Sequence, residues 1–120
     1  MATYTDLVFV SNDDLQSVAA EVALALGVTL EWRESWYRGG EYLLSIGEFG
    51  DERTSVQRNV EIDELAEPDY PDALTLVQME GTRRPEEIEH RLSQTSMILI
   101  RRSTRDQPDR GSEQDSETRR

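Results

Sequence analysis

Residues 30–49, LEWRESWYRGGEYLLSIGEF, constrain the fold more than any other stretch of the chain. Val28, Leu30, Trp32 and Trp36 fall on one face at period two, and Thr29, Glu31, Arg33, Ser35 and Tyr37 fall on the other. After Gly39-Gly40, the residues Tyr42, Leu44 and Ile46 repeat the alternation. Glycine adopts positive φ without steric cost, so two alternating runs joined by a glycine pair predict a β-hairpin, with strands over 29–37 and 41–47. The rest of the chain is expected to pack on this hairpin or extend it. Trp32 and Trp36 share the face of Leu30. Core placement is the plain reading for Trp32, and it stands level with exposure for Trp36.

The flanking segments supply the other elements. Residues 5–10, TDLVFV, read as a strand buried on both faces. Ser11-Asn12-Asp13-Asp14 is N-cap material, and Leu15, Val18, Ala19, Val22 and Leu26 then recur at helical spacing up to Gly27. A turn at Gly50-Asp51-Glu52 leads into a strand over 53–62, with Val56, Val60 and Ile62 on one face and Gln57 and Asn59 on the other. Residues 63–72, DELAEPDYPD, carry two prolines and read as an acidic loop. A strand follows over 73–79, then a helix over 82–94 with Pro85 in its first turn and an Ile88–Leu92 stripe, then an apolar strand over 97–100.

The resulting order, β-α-β-β-β-β-α-β, predicts one α+β domain over 1–102. Its sheet is single, mixed or antiparallel, with about six strands and two helices on one face; a ferredoxin-like variant fits. The two most apolar strands, 5–10 and 97–100, are expected at the centre of the sheet. The face without helices is expected to expose Arg33, Ser35, Tyr37, Leu43, Gln57 and Asn59. Residues 101–120 contain no leucine, isoleucine, valine or aromatic side chain. Burial cannot offset their ordering entropy, so 103–120 reads as a disordered charged tail.

Composition narrows the chemistry. There is no cysteine, hence no disulfide, thiolate metal site or cysteine nucleophile. The single histidine, His90, sits about 200° round the second helix from its apolar stripe and reads as solvent-facing. Glu61, Asp63, Glu64, Glu67, Asp69 and Asp72 lack the spacing of a calcium loop, so neither metal nor cofactor is expected. No glycine cluster matches a phosphate loop, and there is no lysine to serve one. A non-enzymatic protein is therefore expected. The first ten residues lack the basic and apolar regions of a signal peptide, which points to a cytoplasmic location.

Charge points to a partner. The first hundred residues hold seven arginines and twenty acids, a net of −13 within a whole-chain charge of −12. Such a body repels nucleic acid and anionic membrane and attracts a basic protein, although solvated surface is the plain reading of many acids. On the hairpin, Glu31, Arg33, Glu34, Tyr37, Arg38, Glu41 and Tyr42 combine aromatic and arginine anchors with an acidic rim. Asp63, Glu64, Asp69 and Tyr70 repeat the theme in the acidic loop. These residues are the candidate partner-binding set.

Over about 7–101 the chain resembles the small acidic immunity proteins of bacterial polymorphic and contact-dependent toxin systems. The resemblance rests on Arg33-Glu34-Ser35, Tyr37, Gly39-Gly40-Glu41-Tyr42, Gln57-Arg58-Asn59 and Pro68-Asp69-Tyr70-Pro71. It implies an antitoxin that neutralises a cognate, basic, nuclease-type toxin domain by stoichiometric binding, without cofactor or turnover. Two other readings compete. A DNA-mimic inhibitor of phage or mobile-element origin would set carboxylates in rows like phosphates. A small ligand-binding regulatory domain would hold an apolar cavity near Trp32 and Trp36.

Overall fold

A computed structural model describes residues 2–45, 51–61 and 64–107. One antiparallel sheet of six strands carries two helices, giving an α+β architecture in the order β1 (Ala2–Ser11), α1 (Leu15–Leu26), β2 (Leu30–Ser35), β3 (Gly40–Ser45), β4 (Arg53–Arg58), β5 (Thr75–Thr82), α2 (Pro85–Leu92) and β6 (Ile98–Gln107). The strands lie side by side as β2-β3-β4-β5-β1-β6. Since every neighbouring pair is antiparallel, β5 and β6 run parallel on either side of β1, joined by α2. This is a split βαβ unit, and β6-β1-β5-β4 follows the ferredoxin-like order with the β2-β3 hairpin added at one edge.

Both helices pack on one face. Leu7 and Phe9 of β1, Leu43 of β3, Val56 of β4, and Val77 and Met79 of β5 meet Val18, Val22 and Leu26 of α1 and Ile88 and Leu92 of α2. Each fully buried aliphatic side chain contributes roughly 1.5–3 kcal/mol of transfer free energy. The α1 boundaries are set by side chain and backbone together. Asp14 Oδ1 accepts the Ser17 amide at 2.8 Å, and Gly27 ends the helix in the left-handed region at φ 66°. That hydrogen bond holds the Asp14 carboxyl below its ordinary pKa. Its stabilisation is therefore present above the unfolded carboxylate pKa and is lost as pH falls through the lowered folded value.

The opposite face is only partly open. Val10 and Leu76 form a second, smaller cluster with Ala73, and Ala66 and Ile100 pack against it, so the long connection between β4 and β5 covers part of this side. Three expectations change accordingly. Leu43 belongs to the helix-covered core. Gln57, paired with Leu76 across β4 and β5, and Asn59 are both buried. Residue 62 lies outside the described residues, and β4 ends at Arg58 rather than running on to it.

The edges differ most from expectation. β1 is interior, whereas the apolar run of 97–100 begins β6, an edge strand. β6 also continues to Gln107, into the segment read as tail, while residues 108–120 lie outside the described residues. Backbone pairing explains the extension, because residues 102–107 pair with residues 2–7 of β1. Ion pairs assist it: Arg105 reaches Asp6 at 2.7 Å, and Arg102 reaches Glu86 at 2.9 Å and also Glu89. An edge strand needs little apolar burial, and charged side chains suit it by discouraging unwanted pairing.

Candidate functional site

Strand direction collects four connections at one end of the sheet. β1, β2 and β4 finish there and β3, β5 and β6 begin there, as the pairs Ser35–Gly40, Arg58–Thr75 and Val10–Ile98 record. This loop end therefore carries residues 12–14, the hairpin tip, residues 59–74 and residues 93–97. Connections longer than about 12–15 residues are uncommon in compact domains and are usually functional or unstructured. Asn59 ties together the described parts of the 59–74 connection. Asn59 Nδ2 donates to the carbonyls of Tyr70 and Ala73, both at 3.1 Å, and its Oδ1 accepts the Glu67 amide at 2.8 Å. The Asn59 backbone amide also donates to the Leu74 carbonyl at 3.0 Å.

The hairpin tip packs on this loop. β2 ends in a 3₁₀ turn, Trp36–Arg38, followed by Gly39 at φ 79° and Gly40 at φ 99°. A Cβ on Gly39 would lie 3.3 Å from Val60 Cβ, so glycine there serves both the positive φ and the close approach. Arg38 and Tyr42 do not project as free anchors. The guanidinium stacks 4.8 Å from the Tyr42 ring centroid, and both side chains are half-buried.

Outside that internal contact the tip is exposed. Trp36 is 77 % exposed and Tyr37 46 %, with their rings edge-to-face at 6.4 Å. Trp32 is 48 % exposed, so neither tryptophan is core. The helices pack mainly over β4 and β1; on the edge strand β2 Leu30 still packs against the core, while Trp32 stays half-exposed. The turn explains Trp36: it stands three residues before Gly39, already leaving the strand, and that spacing was the signal available in the sequence.

Electrostatics separates the loop end from the rest. Glu34 and Glu41 sit directly opposite each other across β2 and β3. Like charges in that position are destabilising, with Cβ atoms about 4.5–5.5 Å apart. Asp13, Glu61, Glu64, Asp69 and Asp72 lie at the same end. Among the described residues none of these seven carboxylates forms an ion pair with an arginine. Arg101 pairs with Glu67 at 2.8 Å, and that hydrogen bond raises the arginine's pKa. Arg58 donates to the Glu41 backbone carbonyl at 3.2 Å rather than to its carboxylate.

Besides the Arg38–Tyr42 stack, the candidate residues separate into three groups. Glu34, Tyr37, Glu41, Glu64, Asp69 and Tyr70 are exposed at the loop end. Tyr70 and Asp69 border an open depression of about 230 Å³, floored by Val10, Ala73 and Ile98. Glu31 and Arg33 lie on the face away from the helices, paired with each other at 2.7 Å. Asp63 lies outside the described residues. Trp36 and Asn59 join the site, the first as an exposed ring and the second as the organiser of the loop. His90 is exposed on α2, and among the described residues no group of acids and histidine is placed to hold a metal ion. No described helix is long and apolar enough to cross a membrane. Neither a protein-family model nor a curated protein matches the chain.

Proposed function

We propose that the chain is a stoichiometric inhibitor of the immunity type, which covers the basic face of a cognate toxin domain with its loop end. The observation that carries the reading is the Glu34–Glu41 pair, two carboxylates set opposite each other beside an exposed Trp36–Tyr37 step. In the free protein this pair costs stability. A guanidinium or ammonium from a partner relieves the repulsion and stacks on the neighbouring rings. The remaining carboxylates of the loop end steer a basic partner toward it, and Trp36, Tyr37 and Tyr70 supply the buried contact that slows dissociation. A nuclease toxin is the natural partner, because a groove that attracts phosphates also attracts carboxylates. The competing ligand-binding reading needs a closed apolar cavity at Trp32 and Trp36, and both rings are exposed instead.

The test is co-expression with a toxin domain encoded beside this chain. A one-to-one complex and rescue of growth are expected. Within that complex Trp36→Ala and Tyr37→Ala should mainly raise the off-rate, whereas Glu34→Lys should slow association and flatten its salt dependence. A toxin that neither binds the chain nor is neutralised by it overturns the proposal.

A further inference from the structure

The outer edge of β2 points to a second copy of this chain. Among the described residues β2 pairs with β3 alone, so one row of its amides and carbonyls has no strand beside it. Natural proteins rarely leave such an edge bare, and this one also exposes half of Trp32. β6, at the other edge, is fenced by Arg101, Arg102 and Arg105, each already in an ion pair.

A two-fold axis perpendicular to the sheet sets two β2 strands antiparallel, and directly opposed residues then share a face. On the face away from the helices β2 carries Glu31 and Arg33; on the helix face it carries Leu30, Trp32 and Glu34. Only registers centred on a residue satisfy the symmetry. Centring on Glu31, Arg33 or Glu34 puts a like-charge pair on the axis. Centring on Trp32 places Glu31 opposite Arg33 of the other copy twice, and Trp32 against its own counterpart. The sequence Glu31-Trp32-Arg33 is therefore complementary to itself in one register. In the monomer Glu31 and Arg33 already pair at 2.7 Å along the strand, so both charges are presented on the correct face.

We infer that the chain forms a symmetric dimer by β2–β2 pairing centred on Trp32, giving one continuous twelve-stranded sheet. The geometry also accommodates the protein's charge. Antiparallel strands send the two loop ends in opposite directions, so the unpaired carboxylates of the copies are held apart. Each dimer then presents two acidic, aromatic ends facing away from each other, and the inference stands whether or not those ends bind a toxin.

Sedimentation of the full chain over a range of concentrations is the test, with Glu31→Arg, Arg33→Glu and the double swap carrying both changes. Each single variant turns two attractive cross-strand pairs into two repulsive ones and should weaken association by about tenfold or more. The double swap restores opposite charges and should recover the dimer. Trp32→Ser should weaken it as well, while circular dichroism of all variants stays that of the parent. A parent protein that is monomeric at its highest soluble concentration overturns the inference. So does a dimer indifferent to both single changes, or one that the double swap fails to recover.

Discussion

The two ends of the sheet treat charge in opposite ways. Away from the loop end, arginines and acids are matched. Arg84 binds Glu52 at 2.8 Å and Glu87 at 3.1 Å, and Arg105 binds Asp6 at 2.7 Å. The Glu52 carboxylate is almost fully buried and also accepts from Thr82 Oγ1 at 2.7 Å, and its hydrogen bond raises the Arg84 pKa. At the loop end, Glu34 faces Glu41, and of the neighbouring acids only Glu67, bound by Arg101, forms an ion pair among the described residues. Matched carboxylates hold the chain together, and under the proposed function the unmatched ones are what attracts a basic partner.

The largest effect is expected at the matched end. Arg84→Ala leaves the buried Glu52 carboxylate without its cation and should cost about 3 kcal/mol, read by chemical denaturation. A cost below about 1 kcal/mol would remove the contrast between the ends. At the loop end, Asn59→Ala should cost about 2 kcal/mol, since it orphans backbone groups of the 59–74 connection. Faster hydrogen exchange should be confined to that segment, and its spread through the β4–β5 ladder would contradict the role given to Asn59.

A smaller change of opposite sign is expected at Gln57. Among the described residues both amide atoms of this buried residue lack a hydrogen-bond partner, as do Ser55 Oγ and Arg38 Nη1. Gln57→Met keeps the volume and removes the unsatisfied amide, so stability should rise by about 1 kcal/mol. An unchanged or lower midpoint in denaturant would mean that the amide is satisfied in solution.

Elements written in periodicity and capping were legible in the residues. Asp14 and Gly27 bound α1, Pro85 opens α2, and the apolar run of β1 lies inside the sheet. What was not legible depends on neighbours. Trp32 has the period of a core residue, but core requires a helix above it, and α1 lies over β4. The strand over 103–107 contains nothing apolar; it exists because the first residues of β1 offer it a hydrogen-bonding edge and Asp6, Glu86 and Glu89 offer it partners. The acidic loop was evident from its prolines and acids, whereas its organiser, Asn59, lies just ahead of it, in the run that reads as a strand. Four of the seven hairpin candidates are engaged within the chain for the same reason: Arg38 and Tyr42, both half-buried, found each other, and Glu31 and Arg33 pair on the exposed face.

The smallest change in stability tests the account most directly. Glu41→Lys replaces the facing carboxylates by an opposite-charge pair on β3, away from the outer edge of β2. Unfolding free energy of the free protein should rise by about 0.5 kcal/mol at low salt, with the gain shrinking as salt is added. Measured on the same variant, affinity for the proposed toxin partner should fall at least about tenfold. Stability that falls, together with affinity that stays the same, would contradict the claim that the loop end keeps its carboxylates unmatched for a basic partner.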